Sequence, residues 1–237
     1  GIGKAVLQAY LLCVQHTVIG AVREPTDATV QELQKLPTGD GSRLIVVKID
    51  SKAYGDPAEA VKAIEAAGVS HIDIVVANAG GNRDKITPLD EITTDEVLDL
   101  FELNTVGPLA LFKAVKPLLQ KSTAPKWASV SSAAASISKL EAYRAHVAPA
   151  YGIAKAGLNW WTVAVHIDNP WLVCFALSPG LVQSDGGNAT ARYLGMEKAP
   201  VTLEDAAVAL TSAVDKATRE ATSGKFLGTI SGEEIPW

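Results

Sequence analysis

Residues 72–81, Ile72-Asp73-Ile74-Val75-Val76-Ala77-Asn78-Ala79-Gly80-Gly81, join an apolar, β-branched run directly to a turn of small residues. A run apolar on nearly every position has no face to offer water, so it predicts a strand covered on both sides, as in a parallel sheet between helices. The small residues that follow would let a ligand approach the backbone, and they serve equally well as a plain tight turn. Similar runs recur at Thr17 to Val22, Arg43 to Ile49, Lys126 to Ser131, Trp171 to Leu177 and Lys225 to Thr229, with longer helical patterns between them. This alternation from end to end predicts the α/β class: a mostly parallel sheet with helices on both faces, in one domain over residues 1–237.

The helices carry their own punctuation. Asp56-Pro57 predicts a start, an N-cap acceptor ahead of a proline at the first helical position, and Gly68 marks the stop. Thr202-Leu203-Glu204-Asp205 resembles a capping box in which the aspartate has a short reach back to the cap. The long pattern from Thr94 to Gln120 is interrupted by Gly107-Pro108, which predicts a kink or a one-turn break. Ser178 to Pro200, rich in Gly, Ser and Asn, reads as a long loop over the carboxyl ends of the strands, of the kind that forms lids.

The 237 residues are 48% hydrophobic, enough for a substantial core, and the net charge of −5 leaves no basic excess to hold nucleic acid or an anionic membrane. No run approaches the roughly 18 apolar residues of a membrane span, and no basic-then-apolar leader stands at the start. Cys13 and Cys174 lie far apart in apolar surroundings, so they read as free thiols of a reducing compartment and the protein as cytoplasmic. His16, His71, His146 and His166 share no ligand spacing with one another or with the cysteines, and no metal is expected.

Ligands of an open parallel sheet bind beyond the carboxyl ends of its strands, where Asn78 to Gly81, Ser131-Ser132 and Ser178-Pro179-Gly180 stand. In Tyr151-Gly152-Ile153-Ala154-Lys155 the phenol and the ammonium are four apart and share a helix face. Tyr-x-x-x-Lys recurs by chance, and a packed tyrosine beside a solvated lysine is its plain reading. The chemical reading is that a fixed positive charge lowers the phenol from its usual pKa of about 10 toward neutrality. A Ser132 hydroxyl at a strand end then holds a substrate oxygen for the phenol to protonate.

Asn78-Ala79-Gly80, Asn104, Ser132, Tyr151 with Lys155, and Pro179-Gly180 occur in the order and at roughly the intervals of short-chain dehydrogenases/reductases, and essentially the whole chain resembles that family. Ser131 to Ser138, Ala156 to Asn159, Gly180 to Gly187 and Gly232 to Trp237 are similar to one branch, that of C-factor-like proteins and fungal norsolorinic acid ketoreductases. The resemblance implies a doubly wound, Rossmann-like domain that binds NADP(H) and interconverts an alcohol with a ketone or aldehyde. It implies Tyr151 as acid and base, Lys155 on the ribose hydroxyls, Ser132 orienting the carbonyl and Asn104 completing a proton relay. Gly1, Ile2 and Gly3 would meet the phosphates, Asp50 and Ser51 the adenine, and Asn78, Ala79 and Gly80 would line the cleft. Pro179, Gly180, Val182 and Ser184 would cradle the nicotinamide. A homo-oligomer is implied as well, with the helix after Lys155 at the interface.

Two departures carry expectations. Ser132 and Tyr151 are 19 residues apart, wider than is commonest in the family, and the insertion from Lys139 to His146 is expected to shape the substrate pocket. Tyr143 within it rivals Tyr151 but has Val147, not lysine, four residues on. The family also opens with a strand and a glycine-rich turn, of which only Gly1-Ile2-Gly3 and the next helix are present, so residues are expected to precede Gly1. Without that central strand its two neighbours would be left unpaired.

Coenzyme choice is read at Ala21-Val22-Arg23-Glu24-Pro25. An NAD site places a carboxylate at that strand end, where Val22 stands, and the Arg23 guanidinium suits a 2′-phosphate. The rival is a solvated arginine paired with Glu24 or Asp27. Apolar and aromatic residues in the variable segments, Tyr143, Tyr193, Leu194 and Met196, suit a hydrophobic, aromatic or polyketide-type carbonyl compound. A reading of another class is a regulatory or signalling protein that binds the dinucleotide without turning it over, for which an acid and a relay are superfluous.

Overall fold

The computed structural model of the chain describes residues 1–82 and 86–237. Its elements run α1 (Ile2–Leu11), β1 (Thr17–Val22), α2 (Asp27–Gln34), β2 (Arg43–Lys48), α3 (Asp56–Ala66) and β3 (Ile74–Ala77). After α4 (Thr94–Phe101) a π-turn (Glu102–Val106) leads into α5 (Gly107–Leu119), β4 (Lys126–Val130) and α6 (Pro149–Asp168). The chain closes with β5 (Val173–Ser178), α7 (Asp185–Tyr193), α8 (Leu203–Lys216) and β6 (Phe226–Gly228). Every strand pair is parallel, as the predicted βα alternation requires.

The strands form two pieces, β1 with β2 and β3-β4-β5-β6. Neither β1 nor β3 has a second strand neighbour among the described residues. The larger piece is buried on both faces because its residues alternate. Trp127 and Cys174 enter a core with Phe112 of α5 and Leu158 and Trp161 of α6. Ala128, Val130, Phe175 and Leu177 enter the opposite core with Val6 of α1 and Leu210 and Val214 of α8. The smaller piece is covered by Ala60 and Ile64 of α3.

The break at Gly107-Pro108 falls one turn earlier than the glycine and proline, as a π-turn through Asn104. Pro108 has no N–H to give the carbonyl four residues back, which belongs to Asn104, and its ring crowds that carbonyl. Widening the turn relieves the clash without ending the helix. The capping signals are borne out unevenly. Thr202 Oγ1 accepts from the Asp205 N–H at 3.0 Å, but the Asp205 carboxylate accepts from the Thr202 hydroxyl instead of reaching back to the cap N–H. Asp56 does not cap α3; its carboxylate turns to Lys48 and the Asp50 N–H, and Gly55 takes the cap position. Gly68, at φ +85°, does end that helix.

The expected loop from Ser178 to Pro200 contains α7, opened by Ser184, whose hydroxyl accepts from the Gly187 N–H. The glycines that concealed this helix differ in what they do. A Cβ on Gly187 would stand 1.9 Å from the Val182 carbonyl oxygen, whereas one on Gly186 would meet nothing within 4 Å. Gly187 therefore lets α7 abut the chain leaving β5, and Gly186 only costs chain entropy. Gly186→Ala is expected to raise unfolding free energy by up to about 1 kcal/mol, and Gly187→Ala to lower it by roughly 1–3 kcal/mol. Urea unfolding of the two variants checks the difference in sign.

Candidate active site

The candidate site is built where α6 docks on the end of β4. Ala150, Ala154, Leu158, Trp161 and Val165 form a buried stripe along α6 at helical spacing, and Pro149 pre-sets its first turn. Two polar links fix its height. Ser129 of β4 is hydrogen-bonded to Thr162 at 2.8 Å, and Lys155 Nζ donates to the Val130 carbonyl at 2.8 Å. Thr105 Oγ1, beside the π-turn asparagine, donates to the Ala154 carbonyl at 2.6 Å on the flank of α6.

This docking brings Tyr151, Lys155 and Ser132 together. The Ser132 hydroxyl is hydrogen-bonded with the Tyr151 phenol, and Lys155 Nζ lies 5.8 Å from the phenol ring centroid. Ser132 itself opens a 3-10 turn (Ala133–Ala135) whose first N–H, from Ala133, donates to the Ser178 hydroxyl at 3.0 Å. Ser178, at the end of β5, thus holds the turn that presents Ser132. Sequence reading placed Ser178 at the ligand-binding edge but gave it no role, because its only signal was a serine at a strand end.

Asn104 is wholly buried and fully engaged. Its amide donates to the Gly81 and Leu100 carbonyls, each at 2.9 Å, and its Oδ1 accepts from the Gly81 N–H at 2.9 Å. A Cβ on Gly80 would lie 2.6 Å from Asn104 Oδ1 and 3.2 Å from Lys155 Nζ. The small-residue turn after β3 is thereby pressed against the site, which the sequence read as one of two alternatives.

The charge state differs from the expectation. Burial pushes the Tyr151 phenol up to about 12, with the Ser132 hydrogen bond pulling the other way, and burial brings Lys155 from its ordinary 10.5 down to about 7. A lysine that is 3% exposed is costly to charge, so it is only partly protonated at neutral pH, and burial outweighs the factors that lower the phenol, which stays a proton donor. Tyr143, its rival, is exposed.

The residues expected at a dinucleotide gather on the same edge. A Cβ on Gly3 would come 2.6 Å from Asn78 Nδ2, and one on Gly107 would come 2.7 Å from the Ser51 carbonyl. The α1 N-terminus, with Gly1 at the cap, Ile2 next and no side-chain cap, therefore approaches the turn at Asn78 and Ala79 through Gly3. Such close glycine approaches and an uncapped helix start fit a pyrophosphate. Asp50 Oδ1 accepts from the Lys52 N–H at 2.9 Å, which orders the loop after β2. Pro179 and Gly180, at φ +78°, follow β5; Val182 is buried and bridged to Val201, and Ser184 caps α7. Arg23 is exposed and makes no ion pair among the described residues, while the Asp27 side chain lies outside them. An open cavity of about 420 Å³ runs along α7, lined by Asp185, Asn188, Ala189 and Arg192.

Residues 1–190 match the family model described as short chain dehydrogenase. The chain belongs to the short-chain dehydrogenase family. A short-chain dehydrogenase of Neurospora crassa is 45% identical over all of this chain and 94% of its own length. A norsolorinic acid ketoreductase of Dothistroma septosporum is 35% identical over all of this chain and 89% of its own length. The NADPH-bound carbonyl reductase from chicken fatty liver superposes with a TM-score of 0.85 at 25% identity, covering all of this chain and 95% of that one. The doubly wound, Rossmann-like expectation is thereby met, and the chain is an oxidoreductase of this family. No described helix is long and apolar enough to cross a membrane, and the described residues hold no metal-binding cluster.

The neutral lysine has a consequence for stability. Folded Lys155 binds its proton less tightly than unfolded Lys155, so it penalises the folded state fully below about pH 7, and that penalty fades as pH rises toward 10.5. Without coenzyme, wild-type stability relative to Lys155→Met is expected to rise between pH 7.5 and 9.5 with a slope approaching about 1.4 kcal/mol per pH unit. Chemical denaturation across that range checks it; a flat difference contradicts the buried, uncharged state.

Proposed function

We propose that this short-chain dehydrogenase is an NADPH-dependent carbonyl reductase acting on a hydrophobic, aromatic or polyketide-type ketone or aldehyde. One observation carries the reading: a half-buried Tyr151 phenol, hydrogen-bonded with Ser132 and facing Lys155, at the end of β4. In this reading Ser132 donates to the substrate carbonyl oxygen and Tyr151 gives it a proton. The hydride for the carbonyl carbon would come from NADPH held by the residues named below. Lys155 holds the ribose hydroxyls, and Asn104 fixes the strand-end turn and completes the path by which the phenol regains its proton. Gly1, Ile2 and Gly3 hold the pyrophosphate, Arg23 the 2′-phosphate, and Asp50 and Ser51 the adenine. Asn78, Ala79 and Gly80 line the cleft, and Pro179, Gly180, Val182 and Ser184 hold the nicotinamide end.

The names of a norsolorinic acid ketoreductase and a carbonyl reductase among its relatives support a C=O substrate, and the NADPH on the latter supports the coenzyme. We read residues 1–237 as one domain of a cytoplasmic homo-oligomer. Ile153, Trp160 and Ile167, exposed at intervals of two helical turns along α6, suit a contact between copies.

Initial rates on aromatic ketones and aldehydes test the proposal. The wild type is expected to prefer NADPH over NADH, and Arg23→Ala to narrow that preference. Tyr151→Phe is expected to bind NADPH normally and to lose more than about tenfold in kcat. A wild type that binds the dinucleotide and reduces nothing would favour the regulatory reading.

A further inference from the structure

The carboxyl-terminal arm makes contacts that the proposed chemistry has not used. After β6 the chain turns back on itself, with Gly228 N–H donating to the Glu233 carbonyl at 2.9 Å and Ile235 N–H to the Phe226 carbonyl at 2.7 Å. Leu227 and Glu234 form an antiparallel bridge between those two bonds. Ile235 is buried against Phe226 and Ala176, and Ala133, the residue after Ser132, packs on that cluster. Trp237 stacks on Phe226 with ring centroids 5.5 Å apart. One face of the indole is therefore fixed to the sheet, while the residue remains 40% exposed.

From this anchored position the arm grips the segment that leaves Ser132. The fully buried Ser136 donates its hydroxyl to the Pro236 carbonyl. Ser138 donates to the Trp237 carbonyl twice, through its hydroxyl at 2.8 Å and its N–H at 3.3 Å. Ser132 and Ser136 are separated by one 3-10 turn, so the grip lies within about 8 Å of the Ser132 backbone at a rise of roughly 2 Å per residue. Ile137, between the two gripped serines, is 76% exposed next in sequence to the serine that holds the Trp237 carbonyl. At its other end the arm meets the candidate nicotinamide cradle: Thr229 N–H donates to the Ser178 carbonyl at 2.9 Å, and a Cβ on Gly180 would lie 3.5 Å from Ile230.

We propose that the arm from Thr229 to Trp237 forms one wall of the substrate site, on which Trp237 and Ile137 receive the apolar, ring-bearing half of a bulky carbonyl compound. The Ser136 and Ser138 bonds make it a positioning device too, because they fix the exit of the turn that presents Ser132. An indole held on one face and open on the other offers a flat surface to an aromatic ring. A small aldehyde that reaches only Ser132 and Tyr151 does not touch this wall. The inference deepens the carbonyl-reductase reading and rests on it.

Steady-state kinetics with an aryl ketone of two or more rings and with a short aliphatic aldehyde separate the possibilities. Trp237→Ala is expected to raise KM for the aryl ketone about tenfold, with KM for the aldehyde, NADPH Kd and Tm little changed. Trp237→Phe, which keeps a ring on Phe226, is expected to restore most of the difference. Ser138→Ala is expected to lower kcat for both substrates at unchanged NADPH Kd, since it loosens the turn below Ser132. Equal effects of Trp237→Ala on both substrates, or no effect on either, would overturn the inference while leaving the carbonyl-reductase reading standing. A wild type that reduces neither substrate with NADPH would remove both.

Discussion

The amine of Lys155, buried and bonded to the Val130 carbonyl, is the constraint on which the candidate site depends. It ties α6 to the last residue of β4 before the chain turns through Ser132. Because Tyr151 is one helical turn earlier on the same face, fixing Lys155 also fixes where the phenol meets the serine. The Ser129–Thr162 bond two turns further along holds the same register, so the two elements cannot slide without breaking both. Burying an amine this way is unfavourable unless it becomes neutral or gains a charged partner. Here burial shifts the lysine toward the neutral amine and keeps the phenol protonated.

Close approach is the second organising feature. The turn after β3 presses Gly80 onto Asn104 and Lys155, Gly3 brings α1 onto Asn78, and Gly187 sets α7 on the chain leaving β5. Each contact removes space that a side chain would fill, and the glycine contacts around Asn78, Asn104 and Lys155 lie on the carboxyl edge of the sheet. Asn104 is held there by the π-turn that Pro108 induces, so a backbone irregularity of α4 and α5 becomes a rigid wall of the site. The arm from Thr229 to Trp237 holds the segment after Ser132 through Ser136 and Ser138.

Much of this was legible in the sequence. Apolar β-branched runs located all six strands to within a few residues, because strands buried on both faces leave no polar alternation to confuse them. What escaped depended on distance in space. Glycine at 186 and 187 concealed α7, since propensity does not register that Val182 forbids a side chain at one of them. Asp56 carried every mark of a cap, but Lys48 and the Asp50 amide offered its carboxylate better partners. The i, i+4 spacing of Tyr151 and Lys155 gave their shared face but not their burial, and burial reversed the expected shift of the phenol.

The most direct test concerns Lys155, whose burial lowers its pKa to about 7; if it meets the ribose of an anionic dinucleotide as proposed, coenzyme binding should return a proton to it. Isothermal titration calorimetry of NADPH binding near pH 8, in buffers of different ionisation enthalpy, measures the protons taken up. With Lys155 at about 7 when free, the wild type is predicted to take up close to one proton per NADPH. Lys155→Met is predicted to take up almost none. A wild-type binding heat that is the same in every buffer would contradict the account.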